Sequence, residues 1–198
     1  MSAVQWRYLR ADFDRYLELS PGYPHQSVLR RARVAIVEET YWAIFWYRVG
    51  RWAGTECRIP VLKQLVLIVH AIVFRVLRLL LGISMERHCE AGPGLYFGHF
   101  GSIWINPLVR IGSHVSIMNG ATIGLGGQGA VAGVPELGDS IYVGPHATIV
   151  GRLRVGSGAV IGANSLVVTD VPEGATVVGV PARPVLRGAN QVSRDIPR

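Results

Sequence analysis

An aliphatic side chain returns every six residues through the second half of this chain. It stands at Ile111, Ile117 and Ile123, and again at Leu137, Val143, Ile149, Val155, Ile161 and Val167. Glycine often follows it, as at Gly112, Gly124, Gly138, Gly144, Gly156 and Gly162. Four places after it comes a small or aliphatic residue, as at Val115, Ala121, Ile141, Ala147, Leu153, Ala159 and Ser165. A short fixed period constrains architecture before any local propensity does. Six is neither the helical period nor the plain strand period. It predicts a coil with three flat walls, one hexad to each wall. The first residue of every hexad then points inward and stacks on its counterpart one coil later. Glycine serves the corners, where the backbone turns sharply or packs closely.

The rhythm is broken twice. It starts near Ile83 with an irregular first coil, through Ala91, Phe97 and Ile103, then slips by two residues to Ile105. Later, Leu137 follows Ile123 by 14 residues instead of 6, so an eight-residue excursion lies between Gly124 and Glu136. A loop thrown from a rigid solenoid is a candidate functional element. Its glycines do not make a phosphate loop, because no Gly-Lys-Ser/Thr follows and no strand–helix unit surrounds them.

The first part of the chain reads differently. Residues 1–19 are predicted helical, with Trp6, Leu9, Phe13, Tyr16 and Leu17 at three-to-four spacing. Ser20-Pro21-Gly22-Tyr23-Pro24 is a break. A second, aromatic-rich helix is predicted over 26–53, and a third over 61–81, after Pro60. The third is long enough to span a bilayer. However, its Lys63, Gln64, His70, Arg75 and Arg78 fall within about 140° of arc. A one-sided polar stripe favours an amphipathic helix, whose other face packs on sister helices or lies on a membrane surface.

Charge follows the same division. Residues 1–82 carry +6 and residues 83–198 carry +1 of the total +7. The basic part suits an anionic membrane surface or an anionic substrate, or simply solvates helix faces. No nucleic-acid reader motif is present, and the basic residues alternate with bulky apolar ones. Cys57 and Cys89 form no metal or redox spacing, so reduced thiols in the cytoplasm, or at the inner face of the membrane, are expected. The opening segment is polar and mixed in charge, unlike a secretory signal. The expected division is a helical region over 1–82, the coil over 83–188 and a loose tail over 189–198.

Over residues 80–187 the chain resembles the hexapeptide-repeat acyltransferases, and within them the serine acetyltransferase branch. That branch reads Gly-Ile-Asp-Ile-His-Pro where this chain has Gly82-Ile83-Ser84-Met85-Glu86-Arg87. It reads Leu-Asp-His-Ala-Thr-Gly where this chain has Phe97-Gly98-His99-Phe100-Gly101-Ser102. Its closing Gly-Val-Pro-Ala-Arg stands intact at Gly179–Arg183, and Tyr47–Trp52 is similar to its helical lead-in. The resemblance implies a mainly β fold with α, a left-handed parallel β-helix preceded by an α-helical N-terminal region. It implies acetyl-CoA as co-substrate and no metal. It also implies a homotrimer, or a dimer of trimers, with active sites between subunits. Zinc carbonic anhydrases share this fold, but their His-x4-His pair is missing here.

The resemblance assigns the catalytic histidine to His99. Removing an alcohol's proton as it attacks a thioester suits an imidazole at neutral pH. The branch's aspartate that pairs with this histidine falls on Ser84, and the one just before it on Gly98. An Asp-Arg-His that helps hold the amino acid falls on Ala132-Gly133-Val134. A desolvated carboxylate and ammonium need charged or hydrogen-bonding partners, and the matched ones are gone. The Gly98–Gly101 sequence is similar to that of exopolysaccharide-associated members. The main expectation is therefore acetyl transfer to a saccharide or another non-amino-acid alcohol. L-serine acetylation and a non-catalytic trimeric scaffold are the alternatives. Glu86 is expected to orient the imidazole, and the Gly126 N–H is a candidate oxyanion donor. Asn106 and Asn119 are candidate acceptor ligands, or structural hydrogen-bonders. The resemblance carries the coenzyme A groove to Gly126, Pro145 and Ala163, with Arg183 a phosphate partner. His114 and His146 share one hexad position near corners and are expected to be exposed.

Overall fold

In the computed structural model, which describes residues 4–19, 28–127 and 132–185, the hexads become the walls of a three-sided parallel β-solenoid. The first wall holds β1 (Ile83–Met85), β4 (Ile103–Ile105), β7 (Thr122–Gly124), β10 (Thr148–Val150) and β13 (Leu166–Val167). The second holds β2 (Glu90–Ala91), β5 (Arg110–Ile111), β8 (Glu136–Leu137) and β11 (Arg154–Val155). The third holds β3 (Tyr96–Phe97), β6 (Ser116–Ile117), β9 (Tyr142–Val143), β12 (Val160–Ile161), β14 (Thr176–Val178) and β15 (Arg183–Pro184). Met85 faces Ile105, Ile105 faces Ile123, Ile123 faces Ile149, and Ile149 faces Val167. Each of the nine regular hexad leaders is at most 5% exposed, so the period is a record of inward stacking. Burying one such aliphatic side chain stabilises by about 1.5–3 kcal/mol.

The outer face of the second wall carries Glu90, Arg110, Glu136 and Arg154, paired at N–O distances of 3.5 to 3.8 Å. Such exposed pairs contribute about 0–1 kcal/mol. Their opposite signs still favour the observed strand register. At the corners Ser102, His114, Ser140, His146 and Asn164 adopt positive φ between 53° and 57°. Gly120 takes the same role one coil before His146, and the imidazole lies where a Gly120 side chain would go. His114 and His146 are exposed.

Four helices precede the coil: α1 (Val4–Leu19), α2 (Val28–Val37), α3 (Glu39–Thr55) and α4 (Pro60–Leu81). The single helix predicted over 26–53 is thus two. Glu38 is extended at φ −78° and ψ 90°, and its carbonyl accepts the Tyr41 N–H at 3.1 Å to start α3. The predicted break at 20–24 and the tail after Gly188 lie outside the described residues.

The helices cap the open end of the solenoid. An uncovered end would leave strand-edge N–H and C=O groups unpaired. Arg48 and Asp12 form a fully buried pair at 2.8 Å. Arg48 also donates to the carbonyls of Ala91 at 2.8 Å and Gly92 at 2.6 Å, while Asp12 accepts the Leu95 N–H at 2.8 Å. The Tyr16 hydroxyl accepts the Phe97 N–H at 3.2 Å, and the Tyr47 hydroxyl donates to the Cys89 carbonyl at 2.8 Å. The edges of β2 and β3 therefore end on side chains of α1 and α3. At the opposite end β15 turns back antiparallel onto β14.

Candidate active site

The strand ladders sort the candidate residues onto two edges of the first wall. Phe97, Ile117, Val143 and Ile161 face one another along the third wall. Two positions beyond them come His99, Asn119, Pro145 and Ala163, one column along a single corner. Backbone bonds stack this corner, His146 N–H to the Asn119 carbonyl and Asn164 N–H to the Pro145 carbonyl, both 2.9 Å. The other edge follows Met85, Ile105 and Ile123, and carries Glu86, Asn106 and the excursion with Gly126.

His99 sits on an insertion. From Phe97 to Ile105 is eight residues, whereas the facing Ile117 to Ile123 is six. The two extra residues push the corner outward, and His99 and Phe100 are exposed on it. Gly101, at φ 108°, has open space around it. The Met118 thioether fills the space that a side chain at Gly98 would need. The sequence slip from Ile103 to Ile105 is therefore the device that presents the histidine.

Glu86, expected to orient this imidazole, is not beside it within one chain. Ser84 occupies the middle of β1, and Glu86 lies two residues further on, about 7 Å along the strand direction. The width of the wall separates it from the His99 corner. Ser84 itself is 7% exposed on the outer face of β1.

The excursion closes on itself through a neck. Gly126 and Gly133 exchange N–H···O bonds of 3.1 Å. A side chain at Gly126 would come within 2.7 Å of the Gly151 nitrogen, so only glycine lies this close to the next coil. The Gly126 N–H, the candidate oxyanion donor, is engaged in the neck. Asn106 Oδ1 accepts the Leu108 N–H at 3.0 Å, which gives that side chain a structural partner. Arg183 is exposed on β15 and donates to its neighbour Ala182 at 3.0 Å.

A cleft of about 320 Å³ runs over the outer face of the first wall. Ser84, Trp104 and Thr122, which face one another across β1, β4 and β7, form its floor, with Arg78, Glu86 and Asn106 around it. Trp104 is 55% exposed there. Trp104 and Thr122 escaped the sequence reading. They lie one residue from inward positions, and that alternation would have marked them as outward once the register was known. Among the described residues no cluster of His, Cys, Asp or Glu suited to a metal is present. The Cys89 thiol is buried and pushed up to about 12 by that burial, so it is no nucleophile.

No family model matches the chain. A serine acetyltransferase of Synechococcus elongatus is 28% identical over 187 residues, covering 94% of this chain and 71% of that protein. One from Bacillus licheniformis is 32% identical over 122 residues, covering 62% of this chain and 56% of that protein. The chain thus spans a little over half the length of some of the curated relatives it matches. The structure of Neisseria gonorrhoeae serine acetyltransferase superposes with a TM-score of 0.76 at 26% identity, over 96% of this chain and 69% of that one. Sequence and coil together are similar to those of serine acetyltransferases. A Brucella abortus serine acetyltransferase in complex with coenzyme A shares the fold at a TM-score of 0.75 and 24% identity, over 91% of this chain and 68% of that one. Within this shared fold the His99 corner and the excursion are departures from an otherwise regular prism.

Proposed function

We propose that this chain is an acetyl-CoA-dependent O-acetyltransferase that transfers an acetyl group directly to an alcohol, with His99 as general base. The observation that carries the proposal is the two-residue corner insertion that exposes His99 between glycines in a fold shared with serine acetyltransferases. In the reaction His99 takes the proton of the acceptor hydroxyl as its oxygen attacks the thioester carbonyl. The tetrahedral oxyanion then collapses, the C–S bond breaks, and the departing thiolate receives the proton from His99. Pro145, Ala163 and Arg183 belong to the groove for coenzyme A in this reading. The active unit is a homotrimer, with the cofactor between neighbouring prisms.

L-serine is the acceptor best supported, because the similar proteins and structures reported above are serine acetyltransferases. It has more support than the saccharide expected from the sequence. A specific observation keeps the saccharide as a second reading. Neither Gly98 nor Ala132-Gly133-Val134 supplies a charged side chain for an amino acid's ammonium or carboxylate.

The test is thiol release from acetyl-CoA with L-serine, and with a panel of sugars and sugar nucleotides, for wild type and His99→Ala. Loss of about 10²–10⁴-fold in kcat is expected on removing a general base. Turnover with serine supports the first acceptor, and turnover with sugars alone supports the second. Undiminished turnover by His99→Ala would remove the assignment of the base.

A further inference from the structure

We propose that α4 lies in the surface of an anionic membrane, with its apolar face in the lipid and a phospholipid headgroup phosphate in the basic cavity beside it. This proposal is independent of the acceptor and of the role of His99.

The helix is inside out for a soluble domain. Lys63, His70 and Arg78 lie on its packed side, while Leu65, Ile68, Ile72, Val76, Leu79 and Leu80 are exposed. At 100° per residue the exposed apolar side chains of α4 fill about 120° of arc. Ile72 is 61% exposed and Leu79 77%. A soluble monomer rarely shows a continuous apolar patch of this kind. The helix is long and apolar enough to cross a membrane. Its other side, however, is held by α3, where His70 rests directly on Gly50. That leaves one face for lipid and favours a helix lying in the interface plane.

The charge beside this face identifies what covers it. Next to the apolar arc, α4 and the turn after β1 border an open cavity of about 290 Å³. Arg75, Arg78 and Arg87 line it together with His70 and His88, against the single carboxylate of Glu86. None of the ion pairs among the described residues uses these three arginines. His70 is 6% exposed, and its Nδ1 has no partner. Guanidinium forks and an imidazole in one cavity match the oxygens of a phosphate. A phosphodiester bearing acyl chains is the ligand whose two halves fit the two adjoining surfaces. A second copy docking face to face would bring the two arginine sets together, and their like charge opposes it.

The experiment is co-sedimentation of the full chain with vesicles of phosphatidylcholine alone, and with phosphatidylglycerol added. Wild type is expected to partition onto the anionic vesicles at least about tenfold better than onto the neutral ones, and to be released by salt. Ile72→Asp/Val76→Asp alters only exposed positions and should abolish binding. Arg75→Glu/Arg87→Glu should lower it by at least about tenfold. Circular dichroism checks that both variants fold, and the salt titration of wild type stands without them. Wild type remaining in the supernatant, or either variant binding like wild type, overturns the proposal. Release by millimolar inorganic phosphate would identify a free-anion site and also overturn it. So would an aspartate variant that loses self-association while wild type ignores vesicles, because the covering partner is then a second copy.

Discussion

The joint between helices and solenoid turns on one buried ion pair. Asp12 and Arg48 are 0% and 1% exposed, and between them they satisfy the carbonyls of Ala91 and Gly92 and the N–H of Leu95. Removing one partner of such a pair leaves an uncompensated charge and costs about 3–5 kcal/mol. Asp12→Ala should therefore lose that much in urea unfolding, since Arg48 stays buried without its carboxylate. The double variant Asp12→Ala/Arg48→Met should be more stable than the sum of the single losses predicts. A loss below about 1 kcal/mol in Asp12→Ala would mean that the joint rests on packing instead. The pair was not legible in the sequence. Asp12 and Arg48 are 36 residues apart, on one helix read from its apolar spacing and another read as aromatic-rich, and no periodicity reports which charge turns inward. His99 is the opposite case. The family resemblance singled it out, and the two-residue slip in an otherwise strict repeat is the insertion that exposes it.

At the scale of elements, repetition was readable and exceptions were not. The hexad leaders became inward columns because every coil repeats one packing environment, so a single register rule places many residues. The helical region has no repeat, and its split at Glu38 rests on one extended backbone position that no periodicity reports. α4 lies between these cases. Its polar stripe was visible, but that the stripe would face α3 while the apolar arc stayed open was not. His70 makes this packing testable. Burial lowers its pKa from the ordinary 6.5, with Arg87 adding to the effect and a hydrogen bond to the Trp46 backbone opposing it. The folded state therefore binds fewer protons than the unfolded chain once the pH falls below about 6.5. Stability from His70 is fully present above that value and declines as pH drops toward the lowered folded pKa. The Tm of wild type should fall more steeply between pH 7 and 5, roughly, than that of His70→Asn. Parallel curves would show that the imidazole pays no burial cost.

For the whole molecule, the division of candidates between two edges of one wall has a consequence for assembly. His99, Asn119, Pro145 and Ala163 share one corner, while Asn106, Gly126 and the excursion share the other. The wall keeps the two sets apart in a single chain, whereas in the proposed homotrimer the His99 corner of one copy would meet the excursion edge of its neighbour. Complementation between inactive variants tests this arrangement. His99→Ala removes the proposed base. Gly126→Val breaks the excursion neck, because a side chain there meets the Gly151 nitrogen at 2.7 Å. Each variant alone should be inactive, and each should retain a three-chain mass in sedimentation. In trimers assembled from equal amounts of both, a site needs its histidine from one variant and its intact excursion from the other. Random assembly gives that combination at about one site in four. Co-expressed chains should therefore recover about a quarter of wild-type thiol release from acetyl-CoA. A site contained within one chain gives no recovery in any mixture, because every chain then carries its own lesion. Absence of activity in mixed trimers of the expected mass would return the whole site to a single prism.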